Sequence, residues 1–269
     1  MPDGSFERKE MDIGPALGEA QLATLSVGEL ARTANVCIGR TEFIEGFELL
    51  KQAQEKAGAE GQDLSSNDAT DLGYALAAQG HVFYNYCVDT DGYEFGGYTP
   101  PPAKGLEGEG RIRFVQAGET FMYAIEKDPS NVRAYFGLGD MQLELGQRQE
   151  ATETAEKIEA ILENEPSSDT FASRLALVSI YGRMEDEGKV LGSYAKAIER
   201  SISVHPKLRQ KMAYDLAARI NRSKSSNPKE LQEIMSACRR AIILGPTDLT
   251  YQVLLSHVEK IQAAQEQVA

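Results

Sequence analysis

Histidine and cysteine are the side chains through which this chain could most readily hold a metal ion or act on a substrate. The three histidines are His81, His205 and His257. The three cysteines are Cys37, Cys87 and Cys238. Neither set forms an HExxH, CxxC or other paired-ligand spacing. We therefore predict no metal site and no cofactor.

Two further binding motifs, a calcium loop and a phosphate loop, are also incomplete. The segment DTDGYE has some of the residues of a calcium loop, but with Gly92 at the turn position the first ligand slot holds Cys87 and the twelfth holds Tyr98. The glycine pairs follow no predicted strand and do not complete a GxxxxGK[ST] phosphate loop. Since no nucleophile stands in a recognisable motif with a base, we predict that the chain is not an enzyme.

Composition favours helices almost throughout. The chain of 269 residues has no Trp and only 7% aromatic residues, and 42% of its residues are hydrophobic, enough to bury a core. No apolar run is long enough to span a bilayer, and the N-terminus lacks the apolar segment of a signal peptide. With an odd number of cysteines, we expect a soluble protein in the cytoplasm or another reducing compartment, or in an organelle matrix if a targeting segment was removed.

Charge is distributed unevenly along the chain. The net charge is −13, yet residues 200–246 contain 10 Lys and Arg against 3 Asp and Glu, a local net charge of +7. This segment is the part of the chain that could dock an anionic protein or RNA. Its candidate partner-binding residues are Lys207, Arg209, Lys211, Arg219, Arg222, Arg239 and Arg240.

Residues 132–166 contain the clearest helix–turn–helix pattern. The first helix, the turn and the second helix are marked by Ala134, Tyr135, Leu138, Gly139, Leu145, Gly146 and Ala151. Small residues such as Gly139 and Ala151 let two helices approach closely, so that a bulkier neighbour such as Tyr135 fills the gap. Gly146 can adopt positive φ and end the first helix.

The pattern resembles the tetratricopeptide repeat. The preceding unit has the same second-helix features at Ala117, Phe121, Ala124 and Pro129. From Ala117 to Ala151 the step is 34 residues, which is the repeat length of that family. The resemblance implies an all-α fold, a right-handed superhelix of antiparallel helix pairs. Weaker units on both sides extend it, so we predict about five pairs over residues 26–267, after an N-terminal tail at 1–25.

Two regions depart from a plain array. A segment rich in Gly and Pro at 88–112 separates the helices of the second unit, whose second helix is expected to begin near Arg113. It carries Tyr93, Phe95 and Tyr98, which either anchor a partner or cover the array's own apolar surface. At the other end, a helix at 249–265 presents Leu254, Leu255, Val258 and Ile261 on one face and is expected to cap the array.

The resemblance implies a non-catalytic scaffold or adaptor that binds one or more proteins, plausible as a structural subunit of a multiprotein complex. The alternatives are an RNA-binding helical repeat that uses residues 200–246, and an enzyme with an unrecognised site. Some members of the family bind the C-terminal carboxylate of heat-shock proteins through Lys and Asn on their first helices. Only Asn35 and Arg133 agree with that pattern, since Ala31, Ala78 and Gly137 occupy other slots. We therefore do not predict this carboxylate clamp.

Overall fold

The computed structural model describes residues 24–60, 64–89, 103–201, 203–222, 228–245 and 249–266, and these residues form eleven helices and no strand. In chain order the helices are α1 (Val27–Gly39), α2 (Phe43–Glu60), α3 (Ser66–Asp89), α4 (Ala103–Lys127), α5 (Val132–Glu144), α6 (Arg148–Asn164), α7 (Phe171–Arg183), α8 (Glu187–Arg200), α9 (Pro206–Arg222), α10 (Pro228–Leu244) and α11 (Leu249–Glu266). The predicted all-α class is confirmed.

The helices pack as successive pairs, with α1 on α2, α3 on α4, α5 on α6 and α7 on α8. Three-residue connections at 40–42, 145–147 and 184–186 join three of these pairs, so their two helices run in opposite directions. The first helices also pack side by side, α1 on α3, α3 on α5 and α5 on α7. This is the α-solenoid that the repeat pattern predicts, while the hand of the superhelix stays a prediction.

The start of α5 is fixed by Asn131. Its side-chain oxygen accepts a hydrogen bond from the Ala134 backbone N–H at 3.1 Å, which caps the helix. Its amide nitrogen donates to the hydroxyls of Ser66 at 2.7 Å and Thr70 at 3.0 Å, at the start of α3. The same side chain therefore begins one first helix and joins it to the preceding one.

Glycines allow close packing around α5. A Cβ on Gly137 would lie 2.2 Å from the ring of Phe121, which is fully buried. Gly139 faces Ile180 of the next pair, whose side chain would lie 3.1 Å from a Cβ there. The gap at Gly139 is thus filled by Ile180 and not by Tyr135 as we predicted, because the next unit packs against this side of α5. Gly146 has φ of 78°, as predicted for the end of α5.

The bounds of the predicted 88–112 segment are wrong at both ends. Helix α3 continues to Asp89 and α4 begins at Ala103, ten residues before the predicted start near Arg113. Gly110 is one of the glycines of that predicted segment, but it lies within α4, and a Cβ there would lie 3.0 Å from the Gly80 carbonyl oxygen and 3.1 Å from the Tyr84 nitrogen. It is a point of close approach between two helix backbones, a role that depends on the neighbouring helix.

This pair is much longer than the others. Helices α3 and α4 have 24 and 25 residues, whereas the other helices have 13 to 18. At 1.5 Å per residue, α3 is about 36 Å long and α5 only about 20 Å. The second pair therefore extends well beyond the length of α5, beside which α3 packs.

The packing order changes at the C-terminal end. Helix α10 packs on α8 and α11, and α9 packs on α11, whereas the described backbones of α9 and α10 hardly approach each other. The predicted fifth pair is thus present as two helices but not as a closely packed hairpin. Helix α11 buries Leu254 and Val258 as predicted, while Leu249 and Val253 remain 66% and 69% exposed.

Candidate functional site

Four first helices, α1, α3, α5 and α7, place one side of each helix on a common surface, which we call the first-helix face. On α5 its members are spaced at i, i+7 and i+11, which keeps them on one side of the helix. The face includes Arg32, Asn35, Asp71, Tyr74, Ala78, His81, Arg133, Asp140, Glu144, Ser179 and Arg183. The opposite sides of these helices form the core, and within the described part of the chain Asn35, Arg133 and Ser179 of this face are exposed and can contact a partner.

A cluster of three charged residues, the positive cluster, joins three helices at one end of this face. Asp71 of α3 is 3% exposed as a residue and pairs with Arg32 of α1 and with Arg133 of α5. Nη2 of Arg133 donates to Oδ1 of Asp71 at 2.9 Å. The side chains of Arg32 and Arg133 are 54% and 59% exposed. One buried carboxylate therefore orients two exposed guanidinium groups, leaving a net charge of +1.

Tyr74 holds Arg133 in place a second way. The guanidinium of Arg133 lies over the Tyr74 ring at 5.6 Å from its centroid, and the Tyr74 hydroxyl donates to the Arg133 carbonyl oxygen at 2.9 Å. Burial raises the pKa of Tyr74 to about 12, against the opposing effect of Arg133, so its hydroxyl is protonated at neutral pH. Tyr74 thus acts as a neutral support for the Arg133 side chain.

A second group, the negative cluster, consists of Asp140 and Glu144 of α5 with Arg183 of α7. The Arg183 guanidinium donates to Glu144 at 2.7 Å and to Asp140 at 3.4 Å. Partial burial raises the pKa of Asp140 above its ordinary value, and Glu144 adds to this, while Arg183 and His81 of α3 oppose it. With two carboxylates and one guanidinium, the cluster has a net charge of −1 when His81 is neutral.

The basic residues predicted to bind a partner are mostly engaged within the protein. Nε of Arg219 donates a bifurcated hydrogen bond to the two carboxylate oxygens of Glu187, at 2.9 and 3.0 Å. Arg239 pairs with Glu259 at 3.0 Å, and Arg240 pairs with Glu199. The three carboxylates, of Glu187, Glu199 and Glu259, all lie outside residues 200–246, so this sequence segment is more basic than the surface it forms.

The other predicted residues are placed as follows. Arg209 donates to the Val204 carbonyl oxygen at 2.8 Å, whereas Lys207 and Lys211 are exposed on α9. Arg222 is the last residue of α9, and its side chain lies outside the described residues. Tyr93, Phe95 and Tyr98 also lie outside them. Arg219, Arg239 and Arg240 thus have carboxylate partners, whereas the exposed side chains of Lys207 and Lys211 have none among the described residues.

Within the described residues, one group has side chains close enough to share a metal ion, and sequence spacing did not reveal it. The ligand atoms of Cys37, Glu42 and Glu45 lie within 4.8 Å of one another at the turn between α1 and α2. Burial, together with Glu45 and Glu42, raises the pKa of the Cys37 thiol to about 11. The thiol is therefore protonated at neutral pH, and a metal ion would have to displace that proton.

Comparison with known families identifies one part of the array. Residues 120–153 match the family model of the tetratricopeptide repeat. The match runs from the second half of α4 through α5 into α6, and it includes Arg133, Asp140 and Glu144 of the first-helix face. No curated protein sequence is significantly similar to the chain. Among the described residues, no helix is long and apolar enough to cross a membrane.

Proposed function

Because the helical array contains a tetratricopeptide repeat at residues 120–153, we propose that this protein is a non-catalytic scaffold that binds other proteins, as a structural subunit of a larger complex. The observation that carries the proposal is the first-helix face. Three successive first helices contribute to the positive cluster, and two contribute to the negative cluster. Side chains held in place before binding lose little entropy on binding, which favours recognition of a partner.

Two further features support a protein partner. The chain between α3 and α4 contains Tyr93, Phe95 and Tyr98, and aromatic side chains are common anchors in protein interfaces. The internal pairing of Arg219, Arg239 and Arg240 removes much of the charge that RNA binding would need. RNA binding is therefore the second candidate, and it would rest on Lys207 and Lys211.

Site-specific photo-crosslinking tests this function. A photoreactive amino acid is placed at Asn35 or Ser179, which are exposed on the first-helix face, and at Glu153 of α6 as the control. The protein is expressed at its native level, and crosslinked products are identified by mass spectrometry. We expect partner proteins to be crosslinked from the first-helix face but not from Glu153. Equal crosslinking from all three positions, or none from any, would contradict the proposal.

The contribution of the aromatic segment is tested separately. Replacement of Tyr93, Phe95 and Tyr98 by Ala is expected to reduce recovery of the partner in affinity purification. An unchanged set of recovered partners would mean that these residues do not bind it. A salt series with single-stranded RNA tests the second candidate, since binding through phosphates weakens steeply as salt is added.

A further inference from the structure

The first-helix face carries two clusters of opposite net charge along a single helix. Arg133 belongs to the positive cluster and Asp140 to the negative cluster, and both are on α5. Resting on the function proposed above, we propose that this face binds an extended segment of the partner that carries an acidic side chain and, three residues away, a basic side chain. The acidic side chain contacts Arg32 and Arg133, and the basic one contacts Asp140 and Glu144.

The two arginines of the positive cluster have further N–H donors that can bind an incoming carboxylate. Among the described residues, the guanidinium groups of Arg32 and Arg133 each make one hydrogen bond, and both go to the Asp71 carboxylate. A guanidinium has five N–H donors, so most donors on each side chain are free to bind a ligand. One arginine would suffice to neutralise Asp71. The second gives the cluster its positive charge, and more than half of each arginine side chain is exposed.

In the negative cluster one arginine is shared by two carboxylates, the reverse of the positive cluster. Arg183 is the guanidinium that pairs with both Asp140 and Glu144, so one negative charge remains. The side chain of Asp140 is 44% exposed, whereas that of Glu144 is 20% exposed. A lysine or arginine of the partner would therefore meet Asp140 first. Its arrival would also relieve the repulsion from Glu144 that helps to raise the pKa of Asp140.

The spacing of the clusters sets the spacing of the partner's charges. Arg133 and Asp140 are seven residues apart on α5, which is about 10 Å along the helix axis. An extended chain in the polyproline II conformation advances about 3.1 Å per residue with three residues per turn, so side chains three residues apart lie on the same side and about 9 Å apart. Between the clusters the neighbouring α3 presents Ala78, which is partly exposed, so a small side chain leaves room for a backbone there. A helical partner would need seven residues for the same distance.

Two weak contacts at a fixed distance give specificity. A single exposed ion pair contributes about 0.2–1 kcal/mol, which corresponds to at most about a fivefold change in affinity. Two such contacts are made together only by a segment with the correct signs and spacing, because a wrong sign at either cluster is repelled. The chain's overall charge of −13 cannot provide this discrimination, since it attracts any basic segment.

The test uses capped synthetic peptides and NMR titration of the isotopically labelled full chain, which detects weak binding. The probe is acetyl-Gly-Ser-Glu-Ala-Ala-Lys-Ser-Gly-amide, in which Glu and Lys are three residues apart. Companion peptides replace Glu by Gln, replace Lys by Gln, place Lys one or seven residues after Glu, or reverse the order of the two charges. We expect the probe, in one order or the other, to bind at least about threefold more tightly than each singly charged peptide.

Protein variants assign each charge to its cluster. Arg133→Gln should abolish the advantage given by Glu, and Asp140→Asn the advantage given by Lys, while each leaves the other advantage intact. Lys51→Gln on α2 is the control, because Lys51 is exposed and away from this face. Equal affinity for all peptides, best binding at a spacing of seven, or loss of both advantages in one variant would overturn the inference.

The peptide comparison on the unaltered protein does not depend on whether a variant folds. The two proposals also fail in different ways. If partners crosslink to Asn35 and Ser179 but the peptides show no charge preference, the scaffold function stands and this inference is wrong. If no partner crosslinks to this face, the scaffold function itself fails.

Discussion

The connection between α6 and α7 contains a buried ion pair whose loss should be costly. Arg174 is 2% exposed, and its Nε donates to Oδ1 of Asp169 at 2.6 Å. The other oxygen of Asp169 accepts from Nε and Nη2 of Arg200 at 3.0 and 2.8 Å. In Asp169→Asn, the Arg174 guanidinium would remain buried without a counter-charge. We expect this to lower the free energy of unfolding by about 3–5 kcal/mol.

Two matched variants separate the buried charge from the exposed one. The Arg200 side chain is 49% exposed, so Arg200→Gln removes a partly solvated pair and should cost about 1 kcal/mol or less. Arg174→Met removes the buried charge and leaves Asp169 paired with Arg200. Its cost should therefore lie below that of Asp169→Asn, because no unpaired charge stays buried.

The effect of Asp169→Asn should also depend on pH. Burial acts to raise the pKa of Asp169, but hydrogen bonds and charges from Arg174 and Arg200 outweigh it, so the pKa lies below its ordinary value. A carboxyl group with a lowered pKa in the folded state stabilises the protein above its unfolded pKa, near 4, and loses this contribution as the pH falls through its folded pKa. The difference between wild type and variant should be full at pH 7 and shrink below about pH 4.

Urea unfolding, followed by circular dichroism at 222 nm, measures these differences, since the chain has no Trp to serve as a fluorescent probe. Titrations of the wild type and the three variants at pH 7, and of the wild type and Asp169→Asn at lower pH, give the free energies. If Asp169→Asn costs no more than Arg200→Gln at pH 7, the Arg174 charge is not buried as described. A difference that grows on acidification would refute the argument from the pKa.

Packing and thiol chemistry give further predictions. Gly137→Ala places a methyl group against the buried Phe121 ring and should cost about 1–3 kcal/mol in urea unfolding. Gly192→Ala, in α8 with nothing within 4 Å of its Cβ position, should stabilise by about 0.5–1 kcal/mol. Burial is the main cause that raises the pKa of Cys37 to about 11 and that of Cys238 to about 12. Alkylation of both thiols by iodoacetamide at pH 8, read by peptide mass spectrometry, should therefore be more than about tenfold slower than in urea.

Gly137→Ala and Gly192→Ala each serve as the control for the other, because both add one methyl group inside a helix. Equal effects on the unfolding midpoint would mean that the Phe121 contact does not govern position 137. For the thiols, the rate in urea is the reference for an accessible cysteine. A native rate close to it would contradict the burial of Cys37 and Cys238.

The pair at residues 132–164 was predictable because its information is local. Small and apolar residues at helical spacing placed the buried stripe, and Ala151, Ala155 and Ile158 are fully buried. Gly146 ends α5 with positive φ, which a single residue type predicts. The 34-residue step from Ala117 then located the preceding second helix, and the match at residues 120–153 confirms a tetratricopeptide repeat.

The start of α4 was missed for a physical reason. Gly and Pro lower helix propensity, and the sequence gives no indication of which glycine has a neighbouring backbone to meet. Gly110 lies against Gly80 and Tyr84 of α3, so packing between two long helices outweighs the local propensity. The same limit applies to Gly139, whose neighbour proved to be Ile180 from the following pair.

The sequence by itself determined that this protein is an array of helix pairs with a tetratricopeptide repeat at its centre, since helix periodicity and turn residues act over a few positions. Only the tertiary structure decided which charges meet. Asp71 pairs with Arg32 and Arg133, which lie 39 and 62 residues away, and Glu187 and Glu199 neutralise arginines of a segment that is strongly basic when it is read alone. An ion pair between helices depends on distance in space, which residue spacing along the chain does not encode.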